Sequence, residues 1–218
     1  MKESIDVLAP KEWMNGWEGR YEKEGELRDD KLLNFFPHPM VQLLSKILED
    51  RKSDENLSVL ELGCGSGKDS CFLGSKGYTV YGIDALPKAI ELARRRSRLM
   101  GVESNVRFLV GDILKWEIPQ NKHDIILAIQ TLQYLFDNAL DRLKEIVSSV
   151  KPGGFFVYSG NIPPHFDTDP PIRFITEEEV LEELDGWIIH SIGTERLRLK
   201  EGDVRGFLYV LAEKPKSQ

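Results

Sequence analysis

Val59-Leu-Glu-Leu-Gly-Cys-Gly-Ser-Gly67 runs from an apolar stretch straight into glycines at every second position. An apolar run of strand length that meets such a turn predicts a strand whose chain bends sharply at its carboxyl end, because glycine alone adopts positive φ freely and lets the backbone come close to a ligand. The residues after it, to about Ser75, read as a helix, Gly77 as its stop, and Tyr78-Thr-Val-Tyr-Gly-Ile83 as a second strand. This is one βαβ unit, and a ligand is expected on its first turn.

Spacing separates three kinds of glycine-rich ligand loop. The dinucleotide fingerprint G-x-G-x-x-G places Lys68 where its third glycine belongs. The triphosphate loop G-x-x-x-x-G-K-[ST] places Leu62 at its first position and Asp69 at its last, so it fails at both ends. What remains is E-x-G-x-G-x-G from Glu61 to Gly67, with Asp84 closing the second strand, where a carboxylate can accept from both hydroxyls of a ribose.

Outward from this unit the alternation continues. Pro87 suits the first turn of a helix carrying Ile90, Leu92, Ala93 and Leu99 and stopping near Gly101. Val106–Val110 reads as a third strand and His123–Ile129, almost all apolar, as a fourth buried on both faces. A helix with Leu140, Leu143, Ile146 and Val147 leads to the turn Lys151-Pro-Gly-Gly154 and a fifth strand, Phe155–Ser159. Gly160–Pro171, rich in proline, reads as a surface loop. Thr176 with Glu179 makes a capping box for a helix to about Leu184, and two antiparallel strands follow Gly186, at about Trp187–Arg196 and Arg205–Ala212. Two helical stretches, about Pro10–Lys23 and Pro39–Arg51, precede the first strand. The expected fold is therefore α/β, a doubly wound, mostly parallel, seven-stranded sheet with an N-terminal helical extension and an antiparallel C-terminal strand pair. One domain over 1–218 is expected, with 1–52 as its helical lid or extension.

Composition narrows the function classes. Of 218 residues, 41% are hydrophobic and 30% charged, enough for a sizeable core and a wet surface. Thirty-six acidic against 29 basic residues give a net charge of -7, which argues against a broad nucleic-acid footprint. The local basic run Arg94, Arg95, Arg96 and Arg98 is expected to be the solvated face of its helix. The two cysteines, Cys64 and Cys71, stand at no metal-ligand spacing and make no disulfide scaffold, so neither a metal nor an oxidising compartment is indicated. Met1–Pro10 lacks the apolar run of a leader and no stretch reaches the roughly 20 apolar residues of a bilayer span, so a cytoplasmic protein is expected, without nucleic-acid or membrane partners and monomeric or homodimeric.

Val59–Gly67, Gly82-Ile-Asp84, Gly111-Asp-Ile113, Asp124-Ile-Ile-Leu-Ala128 and Val150-Lys-Pro-Gly-Gly154, in this order, resemble the class I S-adenosylmethionine-dependent methyltransferases over roughly Leu57–Ser159. The resemblance implies a Rossmann-like fold with S-adenosyl-L-methionine as cofactor. It places Gly63 to Gly67 under the methionine part, Asp84 at the ribose and Asp112 with Ile113 around the adenine, and Glu61, Cys64 and Ala85 belong to the same cofactor-binding set. Ile129 and Gln130, after the fourth strand, join the same set. Read alone, Asp84 is as good a helix cap and Asp112 as good a turn former. Cys64 is a small turn residue with no assigned chemistry, and Cys71 belongs to the core.

The family's reaction is in-line attack on the sulfonium methyl, in which the protein supplies position and desolvation, so no catalytic residue is assigned. A general base, where the acceptor must lose a proton, is sought among His38 and His165; His123 and His190 fall at strand positions that suit structural histidines. Ile129-Gln-Thr-Leu-Gln-Tyr134 stands where many methylases of nucleic-acid amino groups carry Asn-Pro-Pro-Tyr or Asp-Pro-Pro-Tyr. Trp13, Trp17, Arg20 and Tyr21 recur on one helix side, and Trp17-Glu-Gly-Arg-Tyr21 resembles the W-x-x-R-[WY] segment of the tellurite-resistance and thiopurine type, which helps close the cofactor pocket. A small-molecule acceptor is thus expected, with Trp17 and Tyr21 in the cofactor set. A cofactor-binding sensor or partner subunit without turnover, and a methyltransferase of protein or RNA, stay open as alternatives.

Overall fold

The computed structural model describes residues 11–51, 56–165, 172–200 and 203–216, without the side chains of 11–13 and 199–200. The reading of Met1–Pro10, the side chain of Trp13 and the 166–171 part of the expected loop lie outside the described residues. The chain divides into two compact units, Met1–Trp116 and Glu117–Gln218.

In the first unit, helices α1 (Lys11–Gly25), α2 (Asp29–Leu33) and α3 (Pro39–Asp50) precede strand β1 (Ser58–Leu62), helix α4 (Lys68–Ser75), strand β2 (Thr79–Asp84), helix α5 (Pro87–Met100) and strand β3 (Val106–Val110). The three strands are parallel, with Val59 opposite Val80 and Val80 opposite Val106. Val59, Leu60 and Leu62 are all buried, as a strand covered on both faces requires. Pro87 at the start of α5 needs no amide donor there, and Gly101 ends the helix at φ +67°. Pro39 opens α3 in the same way, with His38 Nδ1 accepting from the Met40 amide at 3.3 Å.

The second unit holds strand β4 (Ile125–Ile129), a 3-10 turn (Leu132–Asn138), helix α6 (Ala139–Ser149), strand β5 (Phe155–Ile162), helix α7 (Glu177–Glu183) and strands β6 (Ile188–Lys200) and β7 (Asp203–Glu213). β4 and β5 are parallel, while β7 runs antiparallel to both β5 and β6. The capping box forms as expected: Thr176 Oγ1 accepts from the Glu179 amide at 3.2 Å and Glu179 Oε2 accepts from the Thr176 amide at 2.9 Å. The seven strands of the mixed sheet follow the order β3-β2-β1 within the first unit and β4-β5-β7-β6 within the second.

Three expectations need correction. Gly160–Ile162 belong to β5 rather than to a loop, because β7 supplies partners for them, with Gly160 opposite Leu208 and Ile162 opposite Gly206. The short helix α2 carries too few residues to show a period, and its Leu32 is buried. The arginine run of α5 is a solvated face only in part: Arg94 and Arg98 are exposed, but Arg96 is 1% exposed, and half-buried Arg95 donates to the carbonyls of Gly25 and Leu27 and pairs with Asp29. Its neighbour Arg94 donates to the Phe108 carbonyl at 2.7 Å.

Candidate functional site

The turn after β1 is held at both its ends. Gly63 and Cys64 both donate their amides to the Ile83 carbonyl of β2, at 2.8 and 2.9 Å. Gly65 and Gly67 stand at φ +53° and +73°, where a side chain is strained. They are also hemmed in: a Cβ on Gly65 would lie 2.6 Å from Tyr21 Oη, and one on Gly67 2.8 Å from both Ala93 Cβ and Phe108 Cζ. At Gly65 and Gly67 the turn therefore presents bare backbone at the carboxyl end of β1.

Asp84, at the end of β2, is oriented by that turn. Its Oδ2 accepts from the Gly65 amide and its Oδ1 from the Leu86 amide, each at 2.9 Å. Burial pushes its carboxyl above the ordinary value, and the two amides act in the opposite sense. Each oxygen keeps acceptor capacity beyond its one amide. Ala85 follows half-buried. The Gly111 amide donates to the Asp84 carbonyl at 2.9 Å, which brings the next turn alongside. There Asp112 Oδ1 accepts from the Leu114 amide at 3.0 Å, and Asp112 and Ile113 are both buried.

Helix α1 lies over the glycine turn. Tyr21 stacks on Trp17 with ring centroids 6.0 Å apart, and the Arg20 guanidinium sits 4.8 Å from the Trp17 ring centre. Burial first, and the Asp84 carboxylate second, push the Tyr21 phenol far above its usual range, so it stays a neutral hydroxyl beside Asp84.

Behind the turn sit two acids. Glu61 is buried and accepts from Ser70 Oγ; burial, and then the charge of Asp69, push its carboxyl well up. Asp69 accepts from the His38 amide at 2.6 Å, and burial pushes it up to about 6. The Cys64 thiol is pushed well up by burial and then by Asp84, which keeps it out of nucleophilic chemistry.

In the second unit, Ile129 ends β4 and Gln130 follows at φ +53°. The Gln130 amide donates to the Ser159 carbonyl at 2.8 Å, its Nε2 to Ser159 Oγ at 2.9 Å, and its Oε1 accepts from Gln133 Nε2 at 3.2 Å. His165 Nε2 stands 2.9 Å from Asn161 Nδ2, with its ring edge on Phe174 at 5.7 Å.

A family model described as a methyltransferase domain matches residues 53–184. The chain belongs to that family. The sterol 4-C-methyltransferase strm-1 of Caenorhabditis elegans is 25% identical over 186 residues, which cover 78% of this chain and 55% of the relative. The ribosomal protein L11 methyltransferase of Paraburkholderia phytofirmans is 33% identical over 163 residues, 73% of this chain and 50% of the relative. The chain spans about half the length of the curated relatives it matches. Among solved structures, magnesium protoporphyrin IX methyltransferase of Synechocystis with bound S-adenosylhomocysteine is 18% identical at a TM-score of 0.63, over 80% of this chain and 81% of that one. An S-adenosylmethionine-dependent methyltransferase of Methanosarcina mazei is 23% identical at a TM-score of 0.58, over 78% and 98%. Both share this methyltransferase domain's fold.

Within the first unit, then, Trp17, Tyr21, Glu61, Gly63, Cys64, Gly65, Gly67, Asp84, Ala85, Asp112 and Ile113 gather around two neighbouring turns, while Ile129 and Gln130 stand at the end of β4 in the second. The three histidines other than His165 likewise have structural partners or environments. His38 caps α3, and burial lowers it to about 4. His123 is likewise lowered to about 4 by burial, and His190 lies 2.8 Å from Glu213. Sequence reasoning missed Glu24, Ser66 and Arg96 of this domain. Ser66 Oγ donates to Glu24 Oε1 at 2.7 Å, and no local pattern could announce a contact between residues 42 positions apart.

Proposed function

We propose that this domain is an S-adenosylmethionine-dependent methyltransferase of a small-molecule acceptor, that residues 1–218 act as one domain in the cytoplasm, and that residues 1–52 cover its cofactor. The observation that carries the reading is Asp84, a carboxylate at the end of β2 aimed by the Gly65 and Leu86 amides beside a turn whose Gly65 and Gly67 leave no room for a side chain. Those residues fit the cofactor: Asp84 would hold the ribose hydroxyls, Asp112 the adenine amino group, and Ile113 the adenine face, while Gly63–Gly67 would lie against the methionine part. Bound there, S-adenosylmethionine supplies an electrophilic methyl group on sulfur. The chain's own contribution is position and exclusion of water, with Trp17 and Tyr21 of α1 as the cover and Ile129 and Gln130 completing the set.

The small-molecule reading is supported by the net charge of -7 and by the tellurite-resistance and thiopurine type of segment at Trp17–Tyr21. The relatives named above for a sterol and for a ribosomal protein make the acceptor a matter for assay. Calorimetric titration with S-adenosylmethionine, S-adenosylhomocysteine and a nicotinamide dinucleotide tests the cofactor, and binding of the dinucleotide alone overturns it. Release of S-adenosylhomocysteine with small thiols, amines or oxyanions tests the acceptor class. Turnover with ribosomal protein or RNA alone would replace it, and tight binding without turnover on any acceptor would point to a sensor.

A further inference from the structure

Arg96 is the most completely buried charged side chain among the described residues, and the cofactor reading gives it no role. It sits on α5 with 1% of its side chain exposed. Its Nη1 donates to the Ser66 carbonyl, inside the glycine turn between Gly65 and Gly67. Its Nη2 donates to Glu24 Oε1 of α1 at 2.9 Å and to the Leu32 carbonyl of α2 at 3.2 Å. The guanidinium carbon lies over the ring of Phe35, 4.9 Å from its centre. Glu24 Oε1 accepts in addition from Ser66 Oγ at 2.7 Å. One side chain therefore joins the cover helix, the segment after it and the ligand turn.

Helical spacing gives the arrangement its purpose. Tyr21 and Glu24 are three apart and share one side of α1. Tyr21 lies over Gly65 and Glu24 over Ser66, so one helix side meets successive residues of the turn. Burial opposes the Glu24 charge, but the hydrogen bonds from Arg96 and Ser66 outweigh it and hold the carboxyl below its ordinary value, so the contact is ionic.

We propose that Arg96 is a positioning residue for the cofactor, whose guanidinium fixes α1 on the glycine turn through Glu24 and Ser66 and so holds Tyr21 over Gly65 and beside Asp84. This rests on the reading of that turn as the cofactor site. The task demands a planar fork with donors in separate directions and a face that stacks on Phe35, which lysine's single ammonium does not provide. Loosening this clasp makes the ligand bear the cost of closing α1, and such couplings span roughly 5- to 150-fold in affinity.

The test is calorimetric titration of S-adenosylhomocysteine into the full chain and its variants Arg96→Lys, Glu24→Gln and the double change, with Leu143→Ala in α6 as a control that lowers the melting temperature from a different unit. Arg96→Lys and Glu24→Gln should each weaken binding by about tenfold. The double variant should lose little more than the worse single, because both act through one contact. Leu143→Ala should bind like the wild type. Should Arg96→Lys fail to fold, Glu24→Gln carries the test, since it keeps the shape and a hydrogen-bond acceptor. Wild-type affinity in Glu24→Gln or in folded Arg96→Lys overturns the inference, as does an equal loss in Leu143→Ala. A wild type that binds no S-adenosylhomocysteine overturns the cofactor reading, and this inference with it.

Discussion

The carboxyl ends of β2 and β5 both carry buried polar groups, and they treat them in opposite ways. At β2 the group is well matched: Asp84 takes the Gly65 and Leu86 amides and retains acceptor capacity on each oxygen. At β5 the groups are neutral and incompletely matched. Asn161 Nδ2 meets His165 Nε2 and Gln133 Nε2 meets Gln130 Oε1, but Asn161 Oδ1 and Gln133 Oε1 are buried with no partner. An unmatched buried acceptor costs about 1–3 kcal/mol. Stability near β2 is thus tied to its backbone geometry and charge, whereas the β5 end already carries a cost that substitution can relieve.

The sharpest way to break this contrast is a methyl group. Gly67→Ala places a Cβ at φ +73° and 2.8 Å from Ala93 and Phe108, and strain plus overpacking should cost about 2–5 kcal/mol in urea denaturation. Gly193→Ala, on β6 with nothing within 4 Å of the added carbon, should change stability by less than about 1 kcal/mol. Equal losses at the two glycines would remove the distinction between a strained turn and an open strand.

Asp84→Asn probes the charge itself. It should weaken S-adenosylhomocysteine binding by the worth of charge-assisted hydrogen bonds, about 1.5–3 kcal/mol, in calorimetry. Unchanged affinity would take Asp84 out of the site.

Next in size is a pH effect behind the turn. Asp69 is raised by burial to about 6, above the ordinary 3.8, so the folded state holds its proton where the unfolded chain has lost it. Its contribution to stability is therefore full below about pH 4 and is lost as pH rises to about 6, with a slope of at most about 1.4 kcal/mol per pH unit. Asp69→Asn should flatten that segment of the stability profile measured by urea denaturation. An unaltered slope would show that Asp69 does not titrate in this range.

The smallest effect is expected at β5. Asn161→Leu removes an unpartnered oxygen together with the His165 contact, and the two changes should offset to within about 1 kcal/mol in thermal denaturation. A large loss there would mean that the β5 end is as tightly specified as the β2 end.

The difference between the two ends is also a difference in what could be read from the chain. At β2 the requirement is mostly local: alternating glycines suit positive φ, and Asp84 meets the Leu86 amide two residues on, although its bond to Gly65 spans 19 positions and only the order of motifs along the chain pointed to it. The capping box of α7 was legible for the same reason, since its partners lie three residues apart. At β5 the extension to Ile162 depends on pairing with β7, more than forty residues onward, and no pattern in Gly160-Asn-Ile162 predicts it. Gln133 and Asn161 carry no motif, and their burial comes from neighbours that the sequence does not place together.

The chain by itself therefore determined the parallel strands, the turn and the acid that follows it, because each depends on backbone preferences and side-chain periods within a few residues. The tertiary structure alone decided what the arginines of α5 do. Four arginines in five positions look solvated by their own chemistry, yet Arg96 is buried because Glu24, Ser66 and Leu32, which are 72, 30 and 64 positions away, converge on its charge and its two Nη donors. A buried cation is stable only where such partners meet, and only the folded chain brings them to one point.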